Sequence, residues 1–220
     1  MAQTEQTWIV PFAQQLQTRK AYFPPDPRIE PVELLVYHYT AGKDRPMRPQ
    51  VKAWAEMDVS VNDASTCFVT SRRPSAEPTL QLVPLEARSW HCGGSIWKGR
   101  PAVSPNRYSI GVDADNVGYL QKKGGKYVDG YGRPYAGPAP FIDSAGEAWE
   151  PYPDEQILEL CRITLILVDL FPVLQNRPDR LVGHEDIRST KRDPGRAFDQ
   201  FWPVLRDITR GKFPTGLTHV

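Results

Sequence analysis

Two of the four histidines in this chain stand at the ends of short apolar segments, where side chains could bind a metal ion. His38 lies near the end of the run VELLVYHY, and His184 directly follows LVG. In an α/β sheet, such strand ends can lie side by side and face a common cleft. The loop that follows His184 carries three carboxylates, on Glu185, Asp186 and Asp193. Because two histidines and one carboxylate are a common ligand set of hydrolytic zinc, the sequence indicates a candidate zinc site.

Each of these residues also has a plain structural interpretation. His38 could be a core histidine satisfied by one hydrogen bond, and His184 could cap the following turn. The sequence EDIR after His184 does not complete an HExxH motif, so a thermolysin-like protease is not supported. Of the other histidines, His91 follows a tryptophan in a glycine-rich loop, and His219 stands in what we interpret as a C-terminal tail.

Apolar runs and turn residues predict the elements that must position these side chains. The pattern predicts strands over 32–39, 66–71, 80–84, 108–114 and 180–183. It predicts helices over 50–57, 154–174 and 196–209, with Pro203 kinking or starting the last one. Strands that alternate with helices indicate an α/β fold, in which a central mixed β-sheet is flanked by helices.

The composition of the chain changes along its length. A proline-rich stretch predicts an extended N-terminal arm over 1–32, followed by one domain over 33–210 and a tail over 211–220. Residues 117–150 hold seven glycines and four tyrosines with little periodicity, which indicates a long Gly/Tyr-rich insertion within the domain. We hypothesise that this insertion forms a wall or lid over the cleft, with tyrosines that stack on sugar faces.

Charge and cysteine content exclude several classes of protein. The chain has 27 Lys and Arg against 26 Asp and Glu, so no basic excess points to a nucleic-acid partner. Three cysteines, Cys67, Cys92 and Cys161, cannot all pair within the chain, and free thiols are expected. The most apolar stretch, 157–174, contains charged residues and a proline, so it predicts a buried helix and no membrane span.

Five segments together resemble a known family. They are VYHYTAG (36–42), LQLVPLEARSWHCGGS (80–95), SIGVDADN (109–116), EPYPDEQ (150–156) and LVGHEDIRSTKRDPGRAF (181–198). In this order they resemble the zinc-dependent N-acetylmuramoyl-L-alanine amidases, a family that includes phage lysozyme-type amidases and peptidoglycan recognition proteins. The histidine loop ending in K-x-D-P-G is the most specific of the five. The resemblance covers most of residues 33–205.

The resemblance implies a role for individual residues. It implies that His38, His184 and Asp193 bind one zinc ion. It also implies that Lys191 faces the reacting carbonyl and that Asp113 replaces a catalytic glutamate. The residues that it implies to line the substrate cleft are Trp90, His91 and Phe68. Asp115 is a rival to Asp113, because the two alternate along one strand and point to the same face. Phe68 stands where the family commonly has a tyrosine. The implied reaction is hydrolysis of the amide between N-acetylmuramic acid and L-alanine.

Two functional interpretations follow. The first is a zinc amidase acting on peptidoglycan or muropeptides, and the second is a recognition module that binds muropeptides without cleaving them. Three candidate ligands favour the enzyme, and a closed structural zinc site would more often show four Cys or His ligands. We expect a monomer, and an immunity protein cannot be read from the sequence. The N-terminus does not resemble a secretory signal, so we expect a cytoplasmic protein or one that reaches the wall by a leaderless route, through phage lysis or toxin delivery.

Overall fold

The computed structural model describes residues 13–16, 28, 30–42, 47–55 and 64–213. The strands are β1 (Gln14–Gln15), β2 (Leu34–Tyr39), β3 (Phe68–Thr70), β4 (Leu80–Gln81), β5 (Ser109–Ala114), β6 (Tyr119–Lys123), β7 (Lys126–Val128), β8 (Phe141–Ile142), β9 (Ala148–Trp149) and β10 (Leu181–Gly183). The α-helices are α1 (Met47–Ala55), α2 (Asp154–Leu170), α3 (His184–Ile187) and α4 (Trp202–Ile208).

Six strands form the main sheet in the order β1-β4-β3-β5-β2-β10. It is mixed, because β3 and β4 are antiparallel while β2 pairs in parallel with both β5 and β10. The central strand β2 is buried on both faces, which explains its nearly continuous apolar sequence. Leu35 and Tyr37 join the larger core on one face, and Leu34 and Val36 join a smaller core on the other.

Helix α2 covers the first face of the main sheet, packing across β3 and β5. Asp154 and Glu155 lie in its first turn, where negative charge favours the positive end of the helix dipole. The helix ends before Pro172, a residue that cannot continue it. The Tyr37 hydroxyl reaches from the sheet to Thr164 of this helix at 2.7 Å, so the one polar atom of that side chain is satisfied in the core.

The second face of the main sheet is covered by irregular chain. Cys92, Trp97 and Tyr108 of the segment 92–108 form the smaller core with the apolar residues of β2 and β10. On this face, the carboxyl ends of β2 and β5 carry the polar side chains of His38 and Asp113. This edge of the sheet holds the candidate site.

Residues 117–150 form a second sheet, of four short antiparallel strands in the order β7-β6-β9-β8. Arg72, which follows β3, ties the last residue of this segment to the main sheet. Its guanidinium binds both Glu150 oxygens, Nε to Oε1 at 3.1 Å and Nη2 to Oε2 at 2.9 Å. It also forms an ion pair with Asp115. The strands in this segment were not predicted, and its status as an insertion stays a prediction.

The α/β fold predicted from sequence is confirmed, with a mixed sheet and helices in the predicted order. The predicted helix over 50–57 begins three residues earlier, at Met47. The helix predicted over 196–209 begins as a 3-10 helix (Arg196–Phe201), and α4 starts beside Pro203. Among the described residues, no helix is both long and apolar enough to cross a membrane. His219, most of the arm and most of the tail lie outside the described residues.

Candidate functional site

The candidate site lies at the carboxyl ends of β2, β5 and β10. His38 of β2 is in register with Asp113 of β5, so both side chains leave the same face of the sheet. His184 follows β10 directly and begins the short helix α3. Gly183 precedes it, and a Cβ there would stand 2.7 Å from the Pro194 ring. The glycine therefore lets the loop that carries Asp193 lie against the end of β10.

Three side chains converge within this edge. The Nδ1 atoms of His38 and His184 lie 2.7 Å and 3.0 Å from the same Asp193 oxygen, Oδ2. One ligand atom from each of the three residues can be chosen so that all lie within 4.8 Å of one another. All three are buried, with relative exposures of 4%, 3% and 8% in chain order. The two histidines and the carboxylate predicted from sequence are therefore together.

The electrostatics of the cluster follow from burial and mutual contact. Burial alone would raise the pKa of the Asp193 carboxyl, but hydrogen bonds with His184 and His38 outweigh it and hold the pKa well below the usual range. Burial alone would lower the pKa of His38, but its hydrogen bond to Asp193 and the charge of Asp113 raise it. Asp193 is thus held as a carboxylate, the form that ligates a metal ion.

The loop that carries Asp193 is fixed from several sides. The Glu185 backbone N–H donates to the Asp193 carbonyl at 2.9 Å, and the Tyr152 hydroxyl donates to the Pro194 carbonyl at 2.8 Å. Gly195 has φ 80° and ψ 172°, a region that only glycine adopts readily. A Cβ at Gly195 would also stand 2.5 Å from the Trp149 ring. The turn that follows Asp193 therefore depends on this glycine.

His91 borders the cluster, and Trp90 precedes His91 in the chain. The Nδ1 atom of His91 lies 3.0 Å from Nε2 of His38. Gly111 of β5 makes this approach possible, because a Cβ there would stand 2.7 Å from the His91 ring. Burial, together with the charges of His38 and His184, lowers the pKa of His91 well below its usual value. Trp90 is 36% exposed, and the Arg88 guanidinium lies 4.1 Å from the centre of its ring.

The structure separates the two rival aspartates. Asp115 is buried in an ion pair with Arg72 and accepts a hydrogen bond from Thr40 at 3.1 Å. Asp113 forms no such ion pair with any residue that the structure describes, and it is close enough to His38 for the two to influence each other's pKa. Burial raises the pKa of the Asp113 carboxyl, with the His38 charge and the Thr66 hydroxyl opposing it. Asp113 is therefore the aspartate that faces the cluster.

Lys191 lies on the same loop as Asp193, two residues before it. Its side chain is exposed, and its charge acts on His38, where it opposes the rise in the pKa. The ammonium group is thus near the cluster and accessible from solvent. This placement suits a cation that meets a bound molecule.

The prediction that Phe68 lines the cleft is wrong. Phe68 is in register with Val112, the neighbour of Asp113 along β5, so its side chain leaves the opposite face of the sheet. There it is fully buried in the larger core. The family resemblance placed Phe68 in the cleft. The register of β3 could not be predicted from the sequence, because Phe68 and Val69 are both apolar and either side chain could face the core.

Two serines near the cluster were missed. Ser109 lies 3.0 Å from Nε2 of His91, and Ser95 lies 3.2 Å from Nε2 of His184. Their place beside the matched motifs WHCGGS and SIGVD was the only available signal. The three cysteines are free, as predicted from their number and spacing, and the structure buries all three.

The donor set fits a zinc ion. Neutral imidazole nitrogens and one carboxylate oxygen are the ligands of hydrolytic zinc, and three protein ligands leave a position open. In a tetrahedral site with bonds of about 2.1 Å, ligand atoms stand roughly 3.4 Å apart. The contacts of 2.7 Å and 3.0 Å to Asp193 Oδ2 are close to that separation.

Comparison with known proteins agrees with this geometry. A family model described as N-acetylmuramoyl-L-alanine amidase matches residues 28–196. The N-acetylmuramoyl-L-alanine amidase AmiD of Escherichia coli (strain K12) is 28% identical over 210 residues, which are 91% of this chain and 60% of the relative. The 1,6-anhydro-N-acetylmuramyl-L-alanine amidase AmpD of Enterobacter cloacae is 29% identical over 121 residues, 54% of this chain and 46% of the relative. The chain thus spans about 60% of the first relative and about half of the second.

Solved structures show the same fold. A selenomethionine derivative of AmpD superposes with a TM-score of 0.61 at 22% identity, covering 90% of this chain and 96% of the other. The E. coli AmiD in complex with the substrate anhydro-N-acetylmuramic acid-L-Ala-D-gamma-Glu-L-Lys gives a TM-score of 0.57 at 25% identity, covering 87% of this chain and 61% of the other. The family model spans most of the chain and includes all three clustered side chains. The chain belongs to the N-acetylmuramoyl-L-alanine amidase family.

Proposed function

We propose that this protein hydrolyses the amide bond between N-acetylmuramic acid and L-alanine in peptidoglycan or muropeptides, with one zinc ion as cofactor. Membership of the amidase family supports the reaction. The observation that carries the proposal is the convergence of both histidine Nδ1 atoms on one Asp193 oxygen, at 2.7 Å and 3.0 Å. Convergence of three buried ligand groups, beside two further charged groups, is an arrangement suited to catalysis.

His38, His184 and Asp193 would hold the zinc ion. Zinc bound there would supply Lewis acidity, which activates water at neutral pH and polarises the carbonyl. Asp113 would accept a proton from the attacking water and pass it to the leaving nitrogen. The water oxygen bonds to the carbonyl carbon, the C–N bond breaks, and the stem peptide leaves with a free amino group on L-alanine. The lactyl group of the sugar is left as a carboxylate.

Lys191 would stabilise negative charge on the carbonyl oxygen as it develops. Its exposed side chain lies near enough to His38 to act on the pKa of that ring. A cation poised at the developing oxyanion is among the largest single contributions to amide hydrolysis. Trp90, which is partly exposed beside the cluster, would contact the substrate.

The test is cleavage of a defined N-acetylmuramoyl-peptide by zinc-loaded protein, with and without a chelator. Mass spectrometry should detect the free peptide that begins at L-alanine, and the chelator should abolish its release. Release that is unaffected by complete removal of metal would contradict the proposed role of zinc. Zinc content measured on the same samples separates failure to bind metal from failure to catalyse.

Two variants test the assigned roles in the same assay. We expect Lys191→Ala to lower kcat by about 10²–10³-fold. We expect Asp113→Asn to lower it by about 10²–10⁴-fold. Lys122→Ala, which removes an exposed lysine on β6, is the matched control and should keep wild-type turnover. Full activity of Lys191→Ala with zinc bound would refute its assignment.

The alternative function is a recognition module. It would be favoured if the zinc-loaded protein binds the muropeptide, measured by calorimetry, without releasing peptide. The monomeric state stays a prediction, which sedimentation would test. The role of the insertion as a lid also stays a prediction, which deletion of 117–150 would test.

A further inference from the structure

The outer nitrogen of His38 begins a chain of hydrogen bonds that leads away from the cluster. Nε2 of His38 lies 3.0 Å from Nδ1 of His91, and Nε2 of His91 lies 3.0 Å from Oγ of Ser109. The Ser109 hydroxyl donates to the Pro105 carbonyl at 2.6 Å. The chain thus ends on a backbone carbonyl, a group that can only accept.

This end point fixes the direction of every bond in the chain. Ser109 has one hydroxyl proton and gives it to Pro105, so its oxygen must accept from Nε2–H of His91. The Nδ1 atom of His91 then carries a lone pair and accepts from Nε2–H of His38. Nε2 of His38 therefore carries a proton, so the neutral ring that ligates a metal has its lone pair on Nδ1, the atom that faces Asp193. The Cys92 sulfur also lies 3.3 Å from Nδ1 of His91, but a thiol is a weak donor and competes poorly.

For His184, different groups determine that the outer nitrogen, Nε2, carries a proton. Its Nε2 atom lies 3.2 Å from the Cys92 carbonyl and 3.2 Å from Oγ of Ser95. The Ser95 hydroxyl itself donates to the Cys92 carbonyl, so it can only accept from the histidine. Nε2 of His184 must therefore carry a proton, so the neutral ring that ligates a metal has its lone pair on Nδ1, the atom that faces Asp193.

We propose that His91, Ser109 and Ser95 are positioning residues of the metal site, which hold both histidine ligands in the tautomer whose Nδ1 atom is free to bind the ion. All three belong to one stretch of chain, 91–109, that contributes no ligand itself. Gly111 keeps open the space that the His91 ring occupies. This role differs from the substrate contact expected for His91, and it does not depend on which bond the enzyme cleaves.

The first experiment reads the tautomers directly in the wild-type protein. Long-range ¹H–¹⁵N correlation spectra of the zinc-loaded, ¹⁵N-labelled protein should show Nε2–H for His38, His184 and His91. Substitution of ¹¹³Cd for zinc should couple the metal to Nδ1 of both ligands. Coupling of the metal to Nε2 of either ligand would overturn the proposal.

The second experiment measures zinc affinity by competition with a chromophoric chelator. His91→Leu removes the acceptor for His38 and should weaken zinc binding by about 10–100-fold, the range found when an outer partner of a ligand is lost. His91→Asn places an amide oxygen near the former Nδ1 position and should recover most of that loss. Equal losses in both variants would show a packing role only and would overturn the proposal.

The serines provide a finer test with a matched control. Ser109→Ala and Ser95→Ala should each weaken zinc binding by about tenfold, at the low end of the same range. Ser104→Ala is the control, because Ser104 is exposed and makes no side-chain cap bond at the start of its 3-10 turn. Wild-type affinity in both serine variants would contradict the proposal. Thermal unfolding of the metal-free variants shows whether each still folds, and no step depends on amidase turnover.

Discussion

The main sheet and the small sheet serve the site in different ways. The main sheet carries His38 and Asp113 on its own strands, which are buried in register beside each other. The small sheet, β6 to β9, is largely half-exposed and turns at glycines. It contacts the loop that carries Asp193, where the Arg192 guanidinium lies 3.9 Å from the centre of the Tyr119 ring and Trp149 lies against Gly195.

This difference indicates a hierarchy of effects. Strands buried on both faces fix the direction of a side chain through their own register. A surface sheet that supports a ligand loop affects the metal ligand indirectly, through contacts that water can partly replace. We therefore expect substitutions at the cluster to abolish metal binding, and substitutions in the small sheet to reduce it by smaller, graded amounts.

The largest effect is expected at the shared carboxylate. Asp193→Ala removes the group that both histidines face and should weaken zinc binding by more than about 100-fold, beyond the range for an outer partner of a ligand. Asp199→Ala, at an exposed aspartate on the following 3-10 turn, is the control and should bind zinc normally. Equilibrium dialysis with metal analysis measures both. Wild-type zinc binding by Asp193→Ala would contradict the expectation that the cluster has a larger effect on zinc binding than the small sheet.

The next effect concerns the link between the two sheets. Arg72→Ala leaves Asp115 and Glu150 buried without their common partner and should lower the free energy of unfolding by about 3–5 kcal/mol. Arg177→Ala removes an exposed pair with Asp179 and should cost about 1 kcal/mol or less. Urea unfolding of the metal-free proteins gives both values. Similar losses in the two variants would mean that Arg72 does not join the sheets.

A smaller effect tests the contact between the small sheet and the ligand loop. Gly195→Ala should cost about 1–3 kcal/mol through its backbone conformation and should also weaken zinc binding about tenfold, because the loop must move away from Trp149. Gly146→Ala shares a φ of 80° but has no atom within 4 Å of the added Cβ. It should lose stability without losing zinc affinity. If both variants bind zinc equally well, the Trp149 contact does not support the loop.

The smallest effect is expected from Arg192. Its guanidinium lies 3.9 Å from the centre of the Tyr119 ring and 5.0 Å from that of Trp149, and it pairs with Glu147 on the surface. Such a contact contributes about 0.5–1 kcal/mol, so Arg192→Ala should change zinc affinity by less than about fivefold. Chelator competition against Lys122→Ala, an exposed lysine of the same sheet, measures the difference. If Arg192→Ala lost as much zinc affinity as Asp193→Ala, the expected order of the two sheets would be wrong.

Much of the fold could be predicted because its strands are strongly patterned. The run that becomes β2 is apolar on both faces, and α2 has acidic residues at its start and a proline after its end. The strands of the small sheet were not predicted, because they are two to five residues long and their glycines obscure any alternation. Short antiparallel strands are specified by cross-strand partners, which a linear reading does not contain.

The residues of the site were likewise predictable only in part. The residue types and the motif around His184 determined the ligand candidates, since few side chains bind zinc and they recur at recognisable places. The family resemblance favoured Asp113, kept Asp115 as a rival and placed Phe68 in the cleft. Register and the ion pair with Arg72 decided these points, because they depend on which strands pair and which charges meet.

The sequence by itself determined that this chain has an α/β core, a histidine-rich strand edge and the motifs of the amidase family. Those properties lie in local apolar runs and in the identity of single residues. Only the tertiary structure decided which nitrogen of each histidine faces Asp193 and which groups hold the other. A hydrogen bond has a direction, and that direction is set by the donors and acceptors that folding brings together from residues 38, 91–109 and 184.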